Sequence, residues 1–396
     1  MRIYPFAALR PNEGDAASVA SVPYDVVNTE EAAALAEGNP KSFLHVSRPE
    51  IDLPAGTDPS SPEAYAQARK ALDTLRGSGT LVRDQEPWFY AYRQIMGSHS
   101  QTGIVACFAT EEYRSGVIKQ HEKTRKYTEY DRTRHIEILG AQTGPAFLTY
   151  RDDPAIDLIV RDACQGAPLY DFTAPDGIRH TVWKIAAGGA CAADELQELF
   201  ARVDKAYIAD GHHRSAAATR YAAQHPESEE AQRYMAVIFP ASQLKILAYN
   251  RLVKTLNGLS KEEFLAKVRE TFPGGSRKCR MYFDGEWREL NWDIPAGTDV
   301  VGSLDVSYLQ DKLLRPVLGI EDPRTSEGIY FMGGIRGDEA LKVEVDEGRA
   351  AVAFAMEPVT VEEMMAIADA EAIMPPKSTW FEPKLRSGLF VHEVGA

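Results

Sequence analysis

The stretch AYIADGHHRSAAATR, residues 206–220, constrains this chain more than any other. Tyr207 and Ile208 sit in a short apolar run that reads as a buried strand, and the alanine-rich segment from Ser215 to Gln224 reads as a helix. Between them, DGHHR packs a carboxylate, a glycine, two imidazoles and a guanidinium into one turn. At such a junction unpaired backbone N–H groups and the positive end of the helix dipole face outward, which favours anions. Gly211 lets the backbone come close to a ligand and Arg214 can fork onto a phosphate. His212 and His213 can donate to phosphate oxygens, and Asp210 can hold magnesium or accept a hydroxyl proton. The plainer assignment makes Asp210 a helix cap, Gly211 a turn former and the histidines a surface pair. Five such residues at one junction are costly without a use, so a phosphate site is the favoured reading. Zinc is disfavoured, because adjacent histidines diverge and no second His or Cys group lies at ligand spacing.

Two further segments carry charge where a purely structural element would not need it. KQHEKTRKYTEYDRTRH, Lys119 to His135, holds six basic against three acidic residues in a chain that is otherwise acidic. It can close over a polyphosphate, with His121, Glu122 and Thr124 as the candidate site residues and Glu122 as a candidate base. Its alternative is a solvated helix, for which stabilising opposite-charge spacings are scarce. MPPKSTWFEPKLRSGLF, Met374 to Phe390, is too rich in proline for a helix or a central strand and reads as a held loop. Its Lys377, Ser378, Thr379 and Lys384 suit anion capture, although the order is not that of a Walker loop. Near the N-terminus, Tyr24 can stack on a base and Asp25 can face the phosphate site from the substrate side; otherwise the two form an ordinary turn.

Taken together, DGHHR after a strand, PYDVV, HEKT followed by EYDRTRH, and MPPKSTWFEPKLRSGL resemble the domain of unknown function 1015 family, from Phe6 to about the last ten residues. The resemblance implies a distant relation to the ParB and sulfiredoxin-like fold, in which a strand, turn and helix hold a nucleotide phosphate. Free serine kinases, CTP-using ParB proteins and ATP-dependent sulfiredoxin share that fold. It implies nucleotide binding more firmly than any reaction. It also implies an N-terminal carboxylate as base, for which Asp25, Glu30 and Glu31 all remain open.

Alternating helical and strand signals indicate a mixed α/β (α+β) chain. The expected organisation is one family-wide unit: residues 1–50 with 200–255 as a ParB-like phosphate-binding core, 60–199 as a large insert and 256–396 as a C-terminal elaboration. RIYPFAAL and SFLHV read as strands, and a helix capped by Asn28 or Thr29 lies between them. The polar linker at 49–62 precedes a helix from about Pro62 to Leu75. Hairpins are expected at Gly97, at Asp176–Gly177 and at Asp284–Gly285. Capping boxes at Ser260 with Glu263 and at Thr360 with Glu363 open two late helices.

A net charge of −14, from 44 basic and 58 acidic residues, opposes a nucleic-acid partner. No apolar stretch is long enough for a membrane span or a leader, so a cytoplasmic protein with no membrane partner is expected. Cys107, Cys164, Cys191 and Cys279 lack metal or redox spacing and read as reduced thiols. The expected activity is phosphoryl transfer from a nucleoside di- or triphosphate (ATP, ADP or CTP), with Mg2+, to a small hydroxyl compound such as free serine. A nucleotide-gated binding protein and a phosphatase are the alternatives. Whether the chain forms a homo-oligomer is left open.

Overall fold

The computed structural model describes residues 1–185 and 192–395, so Cys191 lies outside the described residues. Two compact units emerge, one formed by residues 1–244 with 383–396 and the other by residues 245–382.

The first unit is built on a nine-stranded mixed sheet. Its strands are β1 (Ile3–Tyr4), β2 (Phe89–Met96), β3 (His99–Ala109), β4 (Ile118–Lys119), β5 (Ala146–Tyr150), β6 (Tyr170–Thr173), β7 (Arg179–Ile185), β8 (Ala206–Asp210) and β9 (Arg233–Pro240). They run in the order β4-β8-β5-β9-β3-β2-β7-β6, with β1 added against β3. Segments 1–50, 60–199 and 200–244 therefore all contribute strands to one sheet. β5 is buried at every position, as a strand covered on both faces must be. Ile104, Leu148, Ile208 and Ile238 join Phe200, Ala217 and Tyr221 in the main core. The hairpins expected at Gly97 and at Asp176–Gly177 join β2 to β3 and β6 to β7.

Helix α1 (Thr29–Ala36) starts at Asn28 with a full capping box, and α3 (Pro62–Gly77) starts at Ser61, whose hydroxyl accepts from the Ala64 amide. Between them the expected strand SFLHV is instead a helical turn, α2 (Leu44–Ser47). With only Phe43, Leu44 and Val46 apolar the segment carries no period of its own, and Ser42 tips it toward the helix by accepting from the Leu44 amide at 3.3 Å. RIYPFAAL also differs from expectation. Pro5 has no N–H for a ladder, and the run breaks into β1 and a separate strand Leu9–Pro11. The 49–62 linker lies inside the first unit, with Pro49–Asp52 wound as a 3-10 turn.

The second unit carries a five-stranded antiparallel sheet, in the order Glu286–Trp292, Arg277–Phe283, Val352–Ala355, Tyr249–Val253, Ile329–Gly333. Asp284 and Gly285, at φ 53° and 79°, make the expected two-residue hairpin turn. Helices Lys261–Thr271 and Val361–Asp369 open with the expected capping boxes at Ser260 and Thr360. Among the described residues, no helix is long and apolar enough to cross a membrane.

Candidate functional site

The helix after β8 starts earlier than its alanine-rich stretch suggests. Helix α5 spans His212–Gln224, and Gly211, in the left-handed region at φ 91°, serves as its N-cap. His212, His213 and Arg214 are thus the first three residues of the helix, and their side chains radiate from its positive end. A Cβ on Gly211 would be crowded, lying 3.0 Å from Arg214 Nε and 3.2 Å from the Ala146 Cα.

Strand pairing brings the second motif to the first. β4 runs parallel to β8 with Ile118 opposite Ala206 and Lys119 opposite Tyr207, so the residues after Lys119 pass the same sheet end as Asp210. His121 and His212 meet edge to face there, with ring centroids 4.6 Å apart. Burial pushes the His121 imidazole down to about 4. Burial, with repulsion from His121, holds His212 well below its ordinary value. Both rings are therefore neutral at pH 7. His212 is only 4% exposed, and its Nε2 is buried with no hydrogen-bond partner among the described residues. His213 points elsewhere, its Nε2 accepting from the Arg125 amide at 3.0 Å.

Asp210 is the hub. Lys384 Nζ and Arg214 Nη2 each lie 3.4 Å from its Oδ2. Burial favours the neutral acid, yet the Lys384 ammonium and the Arg214 guanidinium outweigh it and hold the carboxyl well below the usual carboxylate range. Arg214 also donates to the Pro145 carbonyl and lies 3.8 Å from Asp25, while its Nε is buried without a partner. Asp25 thus joins the site. Glu31 is occupied by the capping box of α1.

Tyr24 has its ring face taken by Arg132, 4.3 Å from the centroid, and burial raises its hydroxyl to about 12. Thr124 donates to Glu129 at 3.3 Å, and Glu122 is exposed. The EYDRTRH charges lie in α4 (Lys126–Leu139) and are paired more fully than their spacing suggests: Glu129 takes Arg220, and Asp131 takes Arg132 and the Tyr65 hydroxyl. Arg220 and Tyr65 come from other elements, which sequence spacing does not reveal.

The C-terminal motif is divided. Pro383 onward belongs to the first unit, which gives the site Lys384, whereas Lys377, Ser378 and Thr379 belong to the second. There Lys377 covers the Tyr249 ring, Ser378 donates to the Pro375 carbonyl, and Trp380–Glu382 forms a short strand paired with Lys245–Leu247.

Several supporting residues carried no signal in the sequence. Gln101 donates to Gln94, and Gln94 donates to the Lys384 carbonyl at 2.8 Å, which fixes the backbone that presents the ammonium. Arg386 binds Asp176 and the buried His180. A small cleft, partly open to solvent, lies against Arg214 and includes Tyr24, Ser47, Arg132 and Ser387 in its wall.

The Asp210 carboxylate is flanked by two cations, Lys384 and Arg214. No group of three or more His, Cys, Asp or Glu able to bind a metal occurs among the described residues. The arrangement is a cradle of groups suited to an anion: a helix N-terminus, a guanidinium, an ammonium and a neutral imidazole around one carboxylate.

A mixed α/β chain with this cradle at a strand-to-helix turn belongs to the family described as "Protein of unknown function (DUF1015)", whose model matches residues 3–307. The C-terminal motif at 374–389 lies beyond the matched range. No curated protein matches the chain. Among solved structures it is similar to a free serine kinase in complex with AMP, at 14% identity over 74% of this chain and 91% of that one, with a TM-score of 0.39. A conserved hypothetical protein from Pyrococcus furiosus is similar at 15% identity over 72% and 94%, with a TM-score of 0.36. SbnI from Staphylococcus aureus is similar at 10% identity over 72% and 86%, with a TM-score of 0.38.

Proposed function

We propose that the protein transfers a phosphoryl group from a nucleoside di- or triphosphate to a small hydroxyl compound. The observation that carries this reading is the convergence of Arg214 and Lys384 on Asp210 at the N-terminus of α5, beside the unpartnered Nε2 of His212. Phosphoryl transfer needs little covalent help from a protein. It needs fixed positive charge around the transferred group and an oriented acceptor.

In this reading Arg214 and Lys384 hold the donor phosphates, backbone N–H groups of the first helical turn add to them, and His212 donates to a phosphate oxygen. Asp210, held down by two cations, is a poor base and acts by keeping those cations in register. Asp25 receives the acceptor proton as the new O–P bond forms and the bond to the donor's bridging oxygen breaks. The nucleotide leaves with one phosphate fewer. Magnesium accompanies the donor's phosphates, and no step is assigned to it. Thr124 is carried over from the sequence motifs as a proposed phosphate contact, and Glu122 as a proposed base. Free serine is the acceptor that the family resemblance suggests, and a cytoplasmic location fits such a substrate.

The test is a phosphorus NMR time course with magnesium, ATP, ADP or CTP, and a panel of small hydroxyl compounds. A phosphomonoester signal that requires both donor and acceptor is expected. Arg214→Ala should slow its appearance by about 10²-fold or more, the scale for loss of one preorganised charge. Inorganic phosphate alone would move the assignment to a hydrolase, and nucleotide binding without turnover would move it to a binding switch.

A further inference from the structure

Beside helix Pro154–Ala163 the large sheet carries a second cleft of about 160 Å³, open to solvent on one side. It lies toward the other end of β5 from the cradle: Phe147 pairs with Asp210, whereas Tyr150, which lines this cleft, pairs with Ala206. The space is about ten times what one water requires, enough for a small molecule. We propose that this cleft binds a free α-amino acid with a small apolar side chain, separately from whatever occupies the cradle.

Charges of both signs line it without being spent on each other. Arg93 is fixed by Thr102, whose Oγ1 accepts from its Nε at 3.1 Å, and by the Trp183 ring, 4.9 Å from the guanidinium carbon to the centroid. The Cys164 thiol takes one more of its N–H groups, and no carboxylate pairs with it among the described residues. Asp157 is partly buried, and its carboxylate likewise has no ion pair or hydrogen bond among them. Burial, then Asp152 and Asp153, raise its acid, so the carboxylate favours an added cation. Arg161 at the rim lies 3.6 Å from Asp162 instead.

Tyr150 is the second observation that points to a ligand. It is only 1% exposed, yet it lines the cleft, and its hydroxyl has no hydrogen-bond partner among the described residues. Burial and the nearby Asp157 push the phenol up, so it keeps its proton. An α-ammonium placed between Asp157 and Tyr150 supplies the carboxylate with a cation and the hydroxyl oxygen with a donor. The α-carboxylate then meets Arg93 and the amide protons of Gln243, whose Oε1 is taken by the Thr102 amide at 2.7 Å. Ile104, Val160 and Ile238, all buried, leave an apolar wall for the side chain. A lone carboxylate would still face Asp157, and a lone amine would still face Arg93.

L-valine, isovalerate and isobutylamine separate these cases, because the second lacks the ammonium and the third lacks the carboxylate. None has a hydroxyl that could accept a phosphoryl group. Calorimetric titration of the full chain with each is the experiment. L-valine should bind at least about tenfold more tightly than either analogue, the worth of one charge-assisted contact. Asp157→Asn should weaken L-valine by about tenfold or more, and Tyr150→Phe by about threefold. Tyr150→Phe removes a hydroxyl that no described residue engages, so the variant keeps the fold and the test if Asp157→Asn does not. ADP affinity in both variants, and L-valine affinity in Arg214→Ala, should stay within about twofold, as expected for separate sites. The proposal is overturned by no L-valine binding, by an analogue binding as tightly, or by L-valine affinity unmoved in both variants. Loss of L-valine binding in Arg214→Ala would place the amino acid at the cradle and overturn it as well.

Discussion

At Gly211 a single missing Cβ decides the shape of the cradle. The residue holds φ at 91°, where a side chain is strained by about 1–2 kcal/mol. A Cβ there would press on Arg214 at 3.0 Å and on the Ala146 backbone at 3.2 Å. Arg214 can yield by swinging its head, but the β5 backbone cannot. Gly211→Ala should therefore do two separable things: lower stability by about 1–3 kcal/mol, read as a lower urea midpoint with unchanged m, and weaken ADP binding by displacing the guanidinium. A variant with wild-type midpoint and affinity would show that the turn tolerates a side chain and that Arg214 is not held by it.

At the scale of elements, what was legible in the sequence is what local chemistry decides. The glycine turn of β8 and α5, the three hairpins and the capping boxes each depend on residues within a few positions of one another. SFLHV folds otherwise than expected because its three apolar residues show no period, and the helix starts earlier than expected because Gly211, not Ser215, sets it. The assembled site was less legible. His121 reaches His212 only because β4 pairs parallel with β8, and Lys384 reaches Asp210 only because residues 383–396 return to the first unit. The β2–β3 hairpin holds that returning segment through Gln101 and Gln94. Gln94→Leu removes the bond to the Lys384 carbonyl and strands the Gln101 amide. It should cost about 1–3 kcal/mol and weaken ADP binding although no phosphate contact is touched. Unchanged ADP affinity in the folded variant would mean that Lys384 is held by other contacts, such as those of Arg386.

Across the whole molecule, acid should act first through buried imidazoles. Burial, the largest cause for each, pushes His121 down to about 4 and His135 and His180 down to about 3. All three are neutral in the folded chain at pH 7, yet each takes a proton near pH 6.5 once the chain unfolds. Between pH 6.5 and about 4 the unfolded state binds more protons than the folded one. The stability these histidines contribute is therefore whole above pH 6.5 and falls as the pH drops through that window. The carboxylates held low by cations, Asp84, Asp131 and Asp210, push the same way, but only as the pH nears the ordinary carboxylate range. The urea midpoint at constant ionic strength should thus be level from pH 7.5 to 6.5 and decline steadily toward pH 4.5, with net proton uptake on unfolding. A level midpoint down to pH 4.5 would mean that these imidazoles are open to water in the folded protein, and the neutral His212 assigned to a phosphate oxygen would lose its basis.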